Sequence, residues 1–357
     1  MERPSQHLCV GLVLSGGGAR GFAHIGALRA LERAGATFDV ISGTSMGAIL
    51  GALYASGLRA DDLFDLASTT SWRDVVDLSL KTGVFKGDRL QTFLAEHIPA
   101  TFEELEVPLA VTVTDIESGE ALVLTDGDLV RAVRASSSFP GAFEPIELNG
   151  RTVADGGIVN NLPVAAATYL GANRTVASDV TSPRHSVYRT PDEEGSWWER
   201  MVATVKLERR NPMAQMLFRA SEIQQSILAD IHASMHPADL RIRIPMPEFR
   251  IESFGEFERI VEAGEAAAER ALHDAGGWRA LIERDVLVHR PHRGGDARHA
   301  TVHKTERRTG DDDTEGRPTR ADEGGKPDED GLTIGSAARA ALSLMRPRPA
   351  SGKRKGS

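Results

Sequence analysis

The sequence predicts an α/β fold with a largely parallel sheet covered by helices on both faces, and three observations carry that expectation. A short apolar run, HLCVGLVL from His7 to Leu14, ends in a glycine loop and passes into a segment of helical period. A second short strand runs into GTSMG and then into the small, apolar stretch AILGALYASG. Further strands alternate with helices along the next two hundred or so residues, the pattern of a doubly covered parallel sheet.

Taken in order, His7 to Leu14 reads as a buried strand bounded by SGGG. From Gly21 to Ala34 the period changes: Phe22, Ile25, Leu28 and Leu31 recur at helical spacing, and Gly35 supplies the stop. Phe38 to Ser42 is the second strand, followed by the serine turn and a tightly packed helix. Leu109 to Thr114 and Ala121 to Leu124 are further strands, and Leu129 to Ala135 is a short helix leading to Pro140. Arg174 to Val180 is another buried strand. Asn211 and Pro212 make an N-cap and first-turn pair for a helix with Met216, Ala220, Ile223, Ile227 and Ile231 on one face. Leu240 to Ile244 alternates with Arg241 and Arg243 as a strand does, and a last long helix spans Phe254 to His273.

At 357 residues and 41% apolar composition the chain can bury a substantial core. A net charge of −9 argues against wholesale attraction to nucleic acid, and a single cysteine, Cys9, rules out a disulfide framework, so a reducing cytoplasmic setting is expected. The N-terminal apolar run is too short for a signal peptide, and no stretch approaches the roughly 18 apolar residues of a membrane span. One domain is expected over residues 7–290. Residues 291–357 form a charged tail without an aromatic side chain, read as disordered apart from a short helix over 334–345 ahead of RPRPASGKRKGS. A solvated tail and a basic helix in transient contact with the inner membrane surface are its two readings.

Three glycine-rich segments carry chemistry. Gly16-Gly17-Gly18-Ala19-Arg20-Gly21 fits G-x-G-x-x-G between strand and helix, which is also the dinucleotide fingerprint. Asp39 has nearly the spacing of a ribose-binding acid, but it precedes the strand-like VIS, whereas a ribose-binding acid ends its strand. Gly43-Thr44-Ser45-Met46-Gly47 is G-x-S-x-G in the same context, where a sharp turn projects a serine hydroxyl at a helix N-terminus, so Ser45 is the candidate nucleophile. Such a hydroxyl needs a base and donors for the developing oxyanion. The backbone N–H groups of Gly16, Gly17 and Gly18 are candidate donors. Asp155, after the strand-like RTVA and flanked by Gly156 and Gly157, is the candidate base, provided burial raises its pKa; an ordinary Asp-Gly turn is the plainer reading.

Histidines downstream of Ser45 offer less. His97 lies in a helical stretch, His185 in a polar loop, and His232 and His236, four apart on a helix, lack the glutamate of a zinc-protease pattern, so neither metal nor cofactor is expected. Ser136, Ser137, Phe139, Pro140 and Phe143 are candidate wall residues, although Pro140-Gly141 reads equally as a turn. Arg20 has two readings, a phosphate contact or a brace for the loop. Trp197 and Trp198 read as interface anchors or as packing beneath a loop.

The three segments, with the block TDIESGEALVLTDGDLVRAVRASSSFPGAFEPIELNGRTVADGGIVNNLPV, resemble the patatin-like phospholipase family, its short bacterial members and the neuropathy target esterase catalytic domain above all. The resemblance runs from about Leu8 to Val180 and more weakly to His273. It implies a three-layer α/β/α sandwich, a Ser45–Asp155 dyad, an oxyanion hole from GGGARG, and hydrolysis of phospholipid, lysophospholipid or other acyl esters without an obligatory metal. Arg20, Gly21, Gly43, Gly47, Gly156 and Gly157 are the supporting motif positions. Two other functions stay open on the sequence alone: a nucleotide-binding oxidoreductase, motivated by GGGARG, and a non-catalytic lipid-binding module on a hydrolase shell.

Overall fold

The computed structural model describes residues 7–75, 86–140, 142–181, 212–251 and 253–283, all within a compact unit spanning Met1–Glu306. The expected C-terminal tail and its helix, and Trp197, Trp198 and His185, lie outside the described residues.

Among the described residues eight strands form one sheet: β1 (Val10–Leu14), β2 (Val40–Thr44), β3 (Leu109–Asp115), β4 (Ala121–Leu124), β5 (Ile146–Leu148), β6 (Arg151–Asp155), β7 (Arg174–Asp179) and β8 (Leu240–Arg243). Hydrogen-bonded neighbours follow the order β5-β6-β3-β2-β1-β7-β8, with β4 also on β3. β1, β2, β3, β7 and β8 are parallel, and β4, β5 and β6 join antiparallel. The helices are α1 (Ala23–Arg33), α2 (Met46–Ala55), α3 (Ala60–Thr69), α4 (Trp72–Val75), α5 (Asp88–His97), α6 (Leu129–Ser136), α7 (Val164–Tyr169), α8 (Pro212–Met235), α9 (Phe257–Asp274) and α10 (Trp278–Glu283).

Alternation along β1 sets the layers. Leu12 and Leu14 enter the main core with Leu28, Leu31, Leu53, Val133, Ile260 and Ala268, while Val13 enters a smaller core with Val40, Leu162, Val164, Ala167 and Ala229. Helices α1, α2, α6 and α9 therefore cover one face and α7 and α8 the other, which is the sandwich the resemblance implied.

Several boundaries differ from the sequence reading. The second strand starts at Val40, not Phe38, because Asp39 is spent on a backbone bond: its Oδ2 accepts the Val10 N–H at 2.7 Å. That contact pins the start of β1 and accounts for Asp39 without a ribose. The 3-10 turn Gly18–Phe22 precedes α1, and its Phe22 is locked among Trp72, Phe254 and Phe257, with ring centroids 5.0–5.7 Å apart. Where α1 crosses α9 the backbones nearly touch. A Cβ at Gly26 would lie 1.9 Å from Val261 O, and one at Gly264 would lie 1.9 Å from Ala23 O. Among the described residues no helix is long and apolar enough to cross a membrane.

One feature of the sheet decides where the site forms. Along β3, the even-numbered backbone groups bond one edge and the odd-numbered the other: Ile41 N–H donates to Pro108 O and Ile116 N–H to Thr152 O, whereas Asp115 N–H donates to Glu120 O. β2 and β6 thus share one edge of β3, β2 along residues 109–112 and β6 along 113–115. Running in opposite directions, they meet end to end at their C-termini.

Candidate active site

The two strand ends that meet carry Ser45 and Asp155. Ser45 sits at φ 55°, ψ −123°, a left-handed conformation costly for a residue with a side chain, and its hydroxyl makes no cap bond to α2. The glycines around it are dictated by contact. A Cβ on Gly43 would lie 2.5 Å from Gly47 O, and one on Gly47 would lie 2.3 Å from Leu14 O. The turn is clamped from below as well: Ser45 N–H donates to Ser136 Oγ at 2.8 Å, and that hydroxyl donates to Thr112 O at 2.7 Å, filling the gap on β3 between the two strand ends.

Asp155 is 1% exposed. Its Oδ1 accepts Gly157 N–H at 2.7 Å, while Oδ2 is buried without a hydrogen bond of good geometry. Burial pushes the carboxyl up to about 6, against the pull of the Ser45 hydroxyl and the Gly157 N–H. Its backbone is fixed by Thr114 Oγ1, which donates to Asp155 O, and by Ser138 O, which accepts Asp155 N–H. Ser138 Oγ is in turn held at 2.5 Å by the buried guanidinium of Arg134. Gly156 leaves no room for a Cβ, which would lie 2.2 Å from Thr112 O.

The glycine loop corrects one expectation. Gly16 N–H is not an available oxyanion donor, because it donates to Asn161 O at 3.2 Å and Gly16 is buried. Gly17 and Gly18 are half-buried, and among the described residues their N–H groups have no acceptor. Gly16 has a packing role instead: a Cβ on it would stand 3.1 Å from Ser45 Cβ and 2.5 Å from Asn161 Oδ1. Gly21 leaves space for Met46, whose Cγ a Cβ there would approach to 2.3 Å. Arg20 is buried and its Nη1 meets Glu222 Oε1 at 3.4 Å, so it braces the loop against α8.

Two residues at the site were missed by sequence reasoning. Asn161 Nδ2 donates to Gly16 O and Thr181 Oγ1, each at 3.1 Å. Since a trans peptide is planar, holding Gly16 C=O on one side turns Gly17 N–H to the other. His24, fully buried beneath the loop, donates from Nε2 to Ser15 O at 2.9 Å and accepts at Nδ1 from Ser178 Oγ at 2.7 Å. Burial lowers its pKa to about 4, so it is a neutral strut. The NNLP and FAHIG strings offered no signal for either, because both act on groups far away in sequence. Of the remaining histidines, His97 bonds Phe93 O within α5 and His232 bonds Asn160 Oδ1. Ser137 Oγ donates to Val133 O and Phe143 lies under Arg134, so neither is committed to the dyad.

The arrangement assembles a projecting hydroxyl at a helix N-terminus, a buried carboxylate with a raised pKa, and two N–H groups without acceptors among the described residues. Residues 12–168 match the family model described as patatin-like phospholipase. The chain is 32% identical over 302 residues to lysophospholipase NTE1 of Mycosarcoma maydis, covering 78% of this chain and 15% of that protein. It is 31% identical to human patatin-like phospholipase domain-containing protein 6, covering 75% of this chain and 20% of that one. An NTE family protein of Mycobacterium bovis, called uncharacterized, is 27% identical over 74% of this chain and 91% of its own length. The chain therefore spans a fifth or less of the fungal and human relatives. Among solved structures, VipD from Legionella pneumophila superposes with a TM-score of 0.50 at 16% identity, over 75% of this chain and 67% of that one, a likeness of fold.

Proposed function

The chain belongs to the patatin-like phospholipase family through its residues 12–168, and on that premise we propose that it is a serine lipid-acyl hydrolase acting on carboxylic esters of phospholipids or lysophospholipids. The observation that carries the reading is the end-to-end meeting of β2 and β6, which sets a strained, uncapped Ser45 hydroxyl beside a buried carboxylate. Ser45 Oγ attacks the acyl carbonyl carbon as its proton passes to Asp155, the N–H groups of Gly17 and Gly18 receive the oxyanion, and the alcohol leaves with a proton returned from Asp155. Water then attacks the acyl-enzyme by the same steps in reverse and releases the fatty acid.

The raised carboxyl pKa makes Asp155 a stronger base than an exposed aspartate, yet leaves it largely ionised at neutral pH. Helix α2 begins at the serine and adds its N-terminal dipole to the oxyanion side. Arg20, committed to Glu222, takes no part in this scheme.

Labelling with a fluorescent fluorophosphonate, followed by turnover of lysophosphatidylcholine, tests the proposal. The parent is expected to label and to release fatty acid, and folded Ser45→Ala to do neither. A Ser45→Ala protein that labels or hydrolyses as the parent does would remove the reading. The loop geometry adds a second expectation. Asn161→Ala frees Gly16 C=O and lets the Gly17 N–H swing, so kcat should fall roughly 10- to 100-fold, the usual penalty for slight misplacement of a catalytic group, with KM little changed. Steady-state kinetics on a soluble short-chain ester would check it.

A further inference from the structure

We propose that the outer face of α8 is a docking ridge for a zwitterionic lipid surface, an inference that rests on the lipid-hydrolase reading and extends it. Among its described side chains the helix has its polarity inverted. Its charged residues turn inward or sideways into ion pairs: Arg219 with Glu222, Glu222 with Arg20, and Asp230 with Arg241 and Arg243. The face turned away from the sheet carries Met216, Ile223, Ile227, Ile231 and Met235, exposed by 38–65%. The sequence pattern had placed most of these on one face, the kind normally given to a core. Among the described side chains the core is met instead by Ser226, Ala229 and Ala233 on the opposite side.

From Met216 to Met235 the ridge runs about 28 Å at 1.5 Å per residue. No Lys, Arg, Asp or Glu interrupts it. A contiguous apolar surface of this kind marks an interaction site. Its chemistry selects the occupant. Five partly exposed side chains fall short of the ~800 Å² per partner that a stable protein pair buries, and a face without a charged anchor offers a protein little specificity. Partitioning into the acyl boundary of a membrane needs only apolar area.

Position supports the same occupant. Helix α8 packs on the catalytic loops: the exposed Gln224 beside the ridge donates from Nε2 to Ile158 O, while on the inward side Gln225 Nε2 stands 3.3 Å from where a Cβ on Gly157 would be and Glu222 holds Arg20 of the glycine loop. A surface held on the ridge therefore lies beside the turn that follows Asp155, so docking and acyl delivery occur on the same side of the site.

The test uses full-length protein carrying Ser45→Ala, which leaves vesicles intact, and phosphatidylcholine vesicles recovered by sedimentation. Adding Ile227→Glu and Ile231→Glu should weaken binding at least tenfold, since each buried isoleucine is worth about that factor or more. High salt should leave the parent's binding unchanged. Ile227→Gln with Ile231→Gln should act in the same direction, and circular dichroism checks the fold of each variant. In the Ser45 background the double variants should hydrolyse a soluble short-chain ester at the parent rate while losing activity on vesicles. Undiminished vesicle binding by the folded double variants would overturn the proposal, as would binding abolished by salt alone, or a parent dimer seen by light scattering that the substitutions dissociate. Vesicle binding that depends on the ridge, in a parent with no esterase activity, would sink the hydrolase reading and leave the ridge standing.

Discussion

Asp155→Asn is expected to cost at least about 10³-fold in kcat/KM while making the folded protein more stable above pH 6. The two effects have one cause. Burial holds the carboxyl at about 6 against 3.8 in the unfolded chain. Between about pH 4 and 6 the folded state keeps a proton that the unfolded state has released, so stability falls as pH rises through that window. Above it the buried charge costs on the order of 3 kcal/mol, which a neutral asparagine avoids. As the proposed base, Asp155 acts in its charged form, so kcat/KM of the parent should rise with pH to a plateau above about 6, tenfold per unit on the acid limb. Measuring both quantities on one pair of proteins, thermal stability and the pH profile from acid to neutral, checks the cause directly. A parent flat through pH 6 on the acid side, or an Asp155→Asn protein that is active, would contradict the role assigned to Asp155. Ser45→Ala should match or exceed the kinetic loss without the pH-dependent gain in stability, because a hydroxyl carries no charge to desolvate.

Gly264→Val is expected to be the most damaging single change to the fold outside the site. The new Cβ would sit 1.9 Å from Ala23 O, a collision with backbone that no rotamer relieves, and α1 would have to lift off α9. Overpacking of side chains costs ~1–3 kcal/mol, and a backbone collision exceeds that range, so a fall of about 10 °C or more in Tm should follow. Glu262→Val, exposed on the same helix, carries the same β-branched penalty without the clash and should shift Tm by only a degree or two. Equal shifts for the two would show that the close crossing is not what holds α1. Displacement of α1 also moves Phe22 and His24, which support the glycine loop, so activity should fall together with stability.

The strands, the serine turn and the three glycine motifs were legible in the sequence because each is a local demand. A residue at positive φ at the head of a helix, or a glycine against another backbone, writes itself into a few adjacent letters, as Gly43 and Gly47 do around Ser45. The strand core of β1, β3 and β7 was equally visible as short apolar runs, and the alternation of elements predicted the layers. The hairpin strand β5 was not read, since Ile146–Leu148 is too short to carry a period.

Tertiary structure alone decided the rest. Ser45 and Asp155 are separated by more than a hundred residues, and they meet because β2 and β6 share one edge of β3, a matter of strand order and register that no local pattern encodes. The same pairing of distant segments spent Gly16 N–H on Asn161 and left the Gly17 and Gly18 N–H groups without an acceptor among the described residues, where the motif had offered all three alike. It also turned the apolar face of α8 outward: hydrophobic period in a sequence states that a face exists, and only the packing of the other elements fixes which side of the helix the core will claim.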